Sequence, residues 1–566
     1  MKTTSSPQNH TESHAAALVG SLAHGGVRHV VVSPGSRSTP MVLAFAALDS
    51  VTSHVVLDER VAGFVALGLA RSTNTPVALV CTSGTAAAHY LPAVIEASAS
   101  NIPLLLLTAD RPVEKQHAGA PQTVSQSQLF QSHVRWMVDV GAPLPAQANR
   151  WVRTVAAQAV DRATCTPAGP VHLNVAYRKP LWSEGCQPTP VRPARVLRSV
   201  TSDALGRFRG RGVVVCGPQS GSDSAAVAVI SRTLGWPVIA EPAANVEPGL
   251  ETLIRSADAL LRDPETATRL VPECVLRLGR VPTSKAVQQW LELHALNRTI
   301  LLDPQGDWHD PAHLSDLLLA VPSESLSAAL VSSSAGSVDD TWLSMWQDLD
   351  RTAAQALGAA CAIGCWEGAV ARAVMEGLPE GAALHVASSM PIRDLDSFAP
   401  HRERALLVTA NRGANGIDGT ISSVLGASLA HPTRPLVALL GDLAFLHDLS
   451  GLLAAVQAGI RATIVVVDNG GGGIFGMLPI AAHPSAFQRF FLTPQRADIA
   501  ALSTAAGAHF EEAADPAALQ QALAMDLERD GVGVLCVRID REENEERHQA
   551  AWAAVRDAVA EEGLWR

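Results

Sequence analysis

The chain has 566 residues and a formal net charge of −11. That length exceeds what one hydrophobic core usually supports, so about three domains are expected, and the acidic balance argues against a nucleic-acid binder, whose target demands a basic surface. Residues 1–14 are polar and no long uninterrupted apolar stretch follows, so neither a signal peptide nor a membrane span is expected and a cytoplasmic location is. Only Lys2, Lys115, Lys179 and Lys285 are lysines among the 43 basic residues, so arginine enrichment as such carries no functional weight.

Up to residue 187, short aliphatic runs at 30–32, 55–57, 77–80, 104–107 and 171–173 alternate with Ala-rich helical stretches. Such alternation predicts an α/β fold with a parallel sheet. Ser33-Pro34-Gly35-Ser36-Arg37-Ser38-Thr39-Pro40 and Leu107-Thr108-Ala109-Asp110-Arg111-Pro112 each stand at the end of an expected strand. Ligands of parallel sheets bind at the carboxyl ends of strands, which places Arg37 and Arg111 at one crevice suited to carboxylates. The alternative is that each arginine pairs with a nearby Asp or Glu. Glu59 follows the run 55–57 and opens a helical stretch, where an acid ordinarily just favours the helix N-terminus.

The prolines of 187–193 mark a linker. A middle segment, 196–330, restarts the pattern with Val213-Val214-Val215-Cys216-Gly217-Pro218-Gln219-Ser220-Gly221, a strand-to-helix turn without the full dinucleotide fingerprint. Residues 323–337, rich in Ser and Ala, read as a connector to a third segment, 340–566.

In that segment further strands are expected at 406–408 and 534–537. Between them the run 436–440 stops at Gly441-Asp442, and the run 464–467 stops at Asp468-Asn469-Gly470-Gly471-Gly472-Gly473, so that Asn469 follows Asp442 by 27 residues. The spacing fits a strand buried on both faces, a crossover helix with its periodicity over 446–459, and a second parallel strand. A right-handed crossover brings both strand ends to one edge, where Asp442 and Asn469 converge. A carboxylate and an amide oxygen suit Mg²⁺, and glycines admit a diphosphate close to the backbone. An ordinary doubly wound domain with Asp and Gly in its loops is the alternative.

These residues resemble the Gly-Asp…Asn signature of thiamine-diphosphate enzymes. The resemblance implies three doubly wound parallel-sheet domains on the decarboxylase-like plan: 1–187 pyrimidine-binding, 196–330 central, and 340–566 diphosphate- and metal-binding. It implies that Asp442, Asn469 and the carbonyl of Gly471 hold Mg²⁺ or Mn²⁺, with Gly441 beside the cofactor. It gives Glu59 the part of the carboxylic acid at the pyrimidine N1′, which promotes the imino tautomer of thiamine diphosphate. Glu59 lies far along the chain from the metal ligands, so active sites between the subunits of a homodimer or homotetramer are expected.

Leu443 stands where the wider family commonly has Gly. With the strings around Arg37 and Arg111, Gly441-Asp442-Leu443-Ala444-Phe445-Leu446-His447-Asp448 and Asn411-Arg412-Gly413-Ala414-Asn415-Gly416-Ile417-Asp418-Gly419 resemble the menaquinone-pathway 2-succinyl-5-enolpyruvyl-6-hydroxy-3-cyclohexene-1-carboxylate synthases. That resemblance implies decarboxylation of 2-oxoglutarate and 1,4-addition of the succinyl unit to isochorismate, two small dicarboxylate substrates. It assigns catalytic roles to Glu59, Gln122 and Ser389, and substrate contacts to Ser36, Arg37, Arg111, Lys285, Arg393 and Arg412. Ile417 becomes the wedge beneath the cofactor, with Ile474, Phe475 and Leu478 as an apolar wall, although ordinary core packing would also place such residues beside a glycine loop. Lys285 stands in Val281-Pro282-Thr283-Ser284-Lys285-Ala286, where some relatives carry Lys-Arg; Ala286 cannot reach a carboxylate. An acetolactate-synthase-like carboligase or 2-oxoacid decarboxylase is the nearest rival reading, opposed by the number of arginines. A catalytically silent nucleotide-binding regulatory subunit is a second, opposed by Glu59, Asp442 and Asn469 all being present.

Overall fold

Three sheets organise the chain in a computed structural model that describes residues 8–143, 148–182, 193–218, 224–294, 298–333, 339–400 and 405–562. By contacts the chain divides into two units, 1–198 with 312–318, and 199–311 with 319–566.

The first unit holds β1 (His29–Val32), β2 (Thr52–Val55), β3 (Val77–Cys81), β4 (Leu104–Asp110), β5 (Trp136–Asp139) and β6 (Val171–Ala176) in the order β2-β1-β3-β4-β6-β5, paired in parallel. Strands β3, β4 and β6 are buried along their whole length. Helices Gln8–His24 and Ala148–Thr164 share one core with the sheet, and Glu59–Thr73 and Leu91–Ala99 share another. Cover on both faces explains why these strands read as continuous apolar runs. The strand expected at 55–57 lies instead at Thr52–Val55, in register with β1. Val55 ends this edge strand and Leu57 lies beyond it; they are 74% and 83% exposed, so their apolar character does not report a buried strand. β7 (Arg195–Leu197) ends the unit's continuous stretch.

The second unit contains β8 (Gly212–Cys216), β9 (Val238–Ala240), β10 (Leu253–Ile254), β11 (Cys274–Leu278) and β12 (Thr299–Leu302), in the order β10-β9-β8-β11-β12; β13 (Leu317–Leu319) spans the boundary. Its other sheet comprises β14 (Ala383–Val386), β15 (Leu407–Ala410), β16 (Leu436–Gly441), β17 (Ala462–Asp468), β18 (His509–Ala513) and β19 (Val532–Arg538), in the order β15-β14-β16-β17-β19-β18. Separate cores cover its two faces.

Two polar anchors, an exposed amide and a buried carboxylate, tie the segments carrying these sheets. The Asn245 amide exchanges 2.8 Å hydrogen bonds with the backbone N–H and carbonyl of Val408, imitating a neighbouring strand. Asp258, 4% exposed, accepts from the hydroxyls of Ser284 and Ser397 at 2.6 Å each and pairs with Arg262 at 3.0 Å. Asp258→Ala strands these donors, and the expected loss is about 3 kcal/mol, the scale for breaking a buried pair. Urea unfolding measures it; an unchanged midpoint and slope would remove Asp258 from the joint.

Three further sequence expectations meet the structure differently. Residues 323–333 of the expected connector form helix Ser323–Ser333, because Leu326 and Leu330, one turn apart, bury completely; 334–337 lie outside the described residues. The periodic stretch 446–459 is two helices, Asp442–His447 and Leu449–Gln457. They break at Asp448, whose carboxylate accepts from the backbone N–H and hydroxyl of Ser422 at 2.6 and 2.7 Å. The linker residues 187–192 and the turn residues Gln219, Ser220 and Gly221 lie outside the described residues. No helix among the described residues is long and apolar enough to cross a membrane.

Candidate active site

In the second unit β16 and β17 run in parallel with Gly441 opposite Val467. This register sets the residues after the two strands, Asp442 and Asn469, at one edge of the sheet. Both line a cavity of about 130 Å³ together with Ser389, Ile417, Gly441, Gly471, Ile474 and Phe475. Asp442 is 3% exposed and accepts the Leu443 N–H at 2.8 Å. Burial, with Asp468 adding to it, pushes its carboxyl up to about 7; a cation beside it would oppose that shift.

Asn469 is the decisive group. Its Nδ2 donates to Glu367 Oε1 at 2.6 Å, while its Oδ1 is buried with no hydrogen-bond partner. An unsatisfied buried acceptor is costly and calls for a ligand. The glycine run is shaped by close approach. A Cβ on Gly473 would sit 2.5 Å from Asn469 Nδ2, and one on Gly471, at φ 138°, would sit 2.3 Å from the Leu492 carbonyl. The Gly471 carbonyl accepts from Gly473 N at 2.9 Å and keeps its second lone pair. A buried carboxylate, an unpartnered amide oxygen and a backbone carbonyl form an all-oxygen donor set of the kind Mg²⁺ or Mn²⁺ takes.

Around this edge, Ser389 adopts φ 80° and its carbonyl accepts from Arg393 Nη1. Burial, then the charge of Arg412, lowers the Arg393 pKa, so the two guanidinium groups lie near each other. Arg412 Nε is buried without a partner. Leu478 is 43% exposed and is not among the residues lining the cavity, unlike Ile474 and Phe475. Lys285 is the exposed first residue of helix Lys285–His294, whereas Ala286 is buried.

In the first unit, Ser36 and Arg37 form a short turn after β1. Arg37 is 8% exposed; its Nη1 donates to the Tyr177 carbonyl at 2.7 Å and its Nε is buried without a partner. Arg111 donates to the Pro121 carbonyl at 3.2 Å and to Gln122 Oε1 at 3.4 Å, with Gln122 at φ 56°. Burial, then Arg111, lowers the Arg37 pKa, placing both cations near one point. Asp110, the nearest carboxylate in sequence, is occupied by the Arg111 N–H at 2.6 Å and the Asn174 amide at 2.9 Å. Neither arginine therefore has its guanidinium spent on a carboxylate among the described residues.

Glu59 opens helix Glu59–Thr73, but the cap is Asp58, which accepts from Arg60 N at 2.9 Å and pairs with its guanidinium at 2.6 Å. The Glu59 carboxylate makes no hydrogen bond or ion pair among the described residues, so capping does not account for it.

Residues 13–129 match a family model described as thiamine pyrophosphate enzyme, N-terminal TPP binding domain. Residues 177–386 match one for the middle domain of thiamine pyrophosphate, and 397–537 one for the thiamine pyrophosphate enzyme C-terminal TPP binding domain. The chain is 41% identical to the 2-succinyl-5-enolpyruvyl-6-hydroxy-3-cyclohexene-1-carboxylate synthase of Geobacillus kaustophilus (strain HTA426), over 97% of this chain and 98% of that protein. The chain belongs to this synthase family. The synthase of Myxococcus xanthus (strain DK1622) is 40% identical over 97% of this chain and 98% of its own length; that of Chloroflexus aurantiacus (strain ATCC 29366 / DSM 635 / J-10-fl) is 38% identical over 97% of each.

Beyond the motif residues of this synthase family, the structure adds Glu367, Asp394, Asn544 and His548 behind Asn469. Glu367 Oε2 accepts from Asn544 Nδ2 at 3.0 Å, and its N–H donates to Asn544 Oδ1 at 2.9 Å. His548 spans the Asn544 carbonyl at 2.7 Å and Asp394 Oδ1 at 2.8 Å. None of the four falls in a glycine motif, and an acid at the start of helix Glu367–Gly377 carries no signal beyond an ordinary helix N-terminus.

Proposed function

We propose that this chain decarboxylates 2-oxoglutarate and adds the succinyl unit to isochorismate in a 1,4 sense, giving 2-succinyl-5-enolpyruvyl-6-hydroxy-3-cyclohexene-1-carboxylate and CO₂, in the cytoplasm and as a step of menaquinone biosynthesis. The observation that carries the reading is the unpartnered Asn469 Oδ1 beside buried Asp442 at the ends of β16 and β17, in a chain so similar to synthases of that name. Thiamine diphosphate, when bound, supplies the electron sink that lets a 2-oxoacid lose CO₂.

The chain's own residues do the rest. Asp442, Asn469 and the Gly471 carbonyl would hold Mg²⁺ or Mn²⁺ for the diphosphate, with Gly441, Ile417, Ile474, Phe475 and Leu478 as the cofactor's surroundings. Glu59 holds a proton at the pyrimidine N1′. Arg37 and Arg111, with Ser36 and Gln122, and Arg393 and Arg412, with Ser389, bind substrate carboxylates; Lys285 has a lesser part. The partnerless Nε atoms of Arg37 and Arg412 support an anionic ligand, since a buried guanidinium donor normally finds an acceptor. Local cations govern a desolvated crevice whatever the net charge of −11. Ser389 and Gln122, at φ 80° and 56°, hold the kind of strained backbone that clusters at working sites.

The apolar surface near Glu59, with Val55, Leu57, Val61 and Phe64 between 49% and 83% exposed, supports active sites completed between subunits of a homodimer or homotetramer, because monomers rarely expose such a patch. Incubation with thiamine diphosphate, Mg²⁺, 2-oxoglutarate and isochorismate should release CO₂ and consume isochorismate absorbance together. Turnover of pyruvate with isochorismate left untouched would favour the acetolactate-synthase-like reading instead.

Arg37→Ala and Arg111→Ala should bind thiamine diphosphate normally and lose catalytic efficiency by about 2–5 kcal/mol of transition-state stabilisation, the scale for breaking a desolvated guanidinium–carboxylate pair. Apparent affinities measured separately for the two substrates assign each arginine. Loss of cofactor affinity with substrate affinity retained would reverse the reading of this crevice.

A further inference from the structure

We propose that Glu367 is a positioning residue that forces the Asn469 amide to present its oxygen to the cation; this rests on the reading of Asn469 as a metal ligand. Glu367 is 5% exposed and stands 102 residues before Asn469 in sequence. Its two carboxylate oxygens each accept from an amide NH₂, Asn469 Nδ2 at 2.6 Å and Asn544 Nδ2 at 3.0 Å. An amide has one donor end and one acceptor end, so the acceptor at Glu367 fixes which way Asn469 faces. With its NH₂ held, Asn469 is left with its Oδ1 buried and unpartnered.

The arrangement requires a carboxylate and not merely a polar group. Asn544 cannot turn over to accommodate a change, because its Oδ1 takes the backbone N–H of Glu367 at 2.9 Å. Its carbonyl in turn accepts from His548 Nδ1 at 2.7 Å, and His548 Nε2 bonds Asp394 Oδ1 at 2.8 Å. Asn544 is 4% exposed and His548 fully buried, so bulk solvent does not reach these partners. A glutamine at 367 would have a single acceptor, claimed by the pinned Asn544 NH₂. Its own NH₂ would then face Asn469 and demand the Asn469 oxygen, turning the Asn469 NH₂ toward the cation.

Glu367, Asp394 and His548 bring potential ligand atoms within 4.8 Å of one another. The cluster is nonetheless not a second cation site: both Glu367 oxygens are committed to amides and both His548 nitrogens to Asn544 and Asp394. It acts through Asn469, as outer partners of metal ligands do.

The test titrates Mn²⁺ into the full-length protein at fixed thiamine diphosphate, reading free Mn²⁺ by its electron paramagnetic resonance signal, with melting of the metal-free protein alongside. Glu367→Gln should weaken Mn²⁺ binding by about 10–100-fold, the usual range for losing an outer partner. Asn469→Asp alone should also weaken it, by setting carboxylate against carboxylate. The double variant Glu367→Gln with Asn469→Asp exchanges donor for acceptor: the glutamine NH₂ meets one Asp oxygen and leaves the other for the cation. It should recover Mn²⁺ affinity to within a few-fold of the wild type, which a merely structural role does not predict. Wild-type affinity in Glu367→Gln overturns the proposal, as does a double variant that fails to fold or binds no better than Glu367→Gln. A wild-type protein that binds no Mn²⁺ instead overturns the metal-site reading on which it rests.

Discussion

Glu59→Gln leaves the fold intact and lowers turnover by about 10²–10⁴-fold at saturating thiamine diphosphate, the usual worth of a positioned acid–base group. The expectation follows from the division of labour at the start of helix Glu59–Thr73. Asp58 satisfies the helix end and carries the ion pair with Arg60, so Glu59 contributes little to stability and its carboxyl is available to hold a proton at N1′. An amide keeps the shape but cannot share that proton. Circular dichroism and thermal melting should match the wild type while turnover falls. Near-normal turnover at saturating cofactor would remove Glu59 from the chemistry, and a collapsed melting temperature would return it to a structural role.

Asp442→Ala abolishes metal-dependent cofactor binding. Without the carboxylate, only neutral oxygens remain to hold the cation between the sheet edge and a diphosphate, whose charge is then uncompensated. Calorimetric titration with thiamine diphosphate plus Mg²⁺ should give no saturable heat; unchanged affinity would sink the metal site. The metal-free protein supplies a second readout. Burial raises the Asp442 carboxyl from 3.8 to about 7, so the folded state binds the proton more tightly than the unfolded state does. Stability is therefore lost as pH climbs between those values, and the penalty is complete above about 7. Asp442→Asn should melt higher than the wild type above that pH in the absence of metal, and the difference should shrink as the pH is lowered. A difference that grew on acidification would contradict the sign of the shift.

The parallel α/β architecture and the pair Asp442 and Asn469 were legible in the residues alone, because both follow from local features. Aliphatic runs without alternation belong to strands covered on both faces, and a strand–helix–strand spacing of 27 residues carries two strand ends to one edge whatever surrounds them. Arg37 and Arg111 were legible for the same reason, each standing just past a strand end.

Tertiary structure alone decided what those residues meet. The break at Asp448 depends on Ser422, 26 residues away, and the exposure of Val55 and Leu57 depends on β2 lying at the edge of the first sheet, with Leu57 past its end. Most clearly, the orientation of Asn469 depends on Glu367, and that of Glu367 on Asn544, 177 residues further along the chain. Periodicity reports the environment within one element. A hydrogen-bond partner across elements leaves no periodic trace, because it needs only one residue of the right chemistry at the point where the folded backbone brings it close.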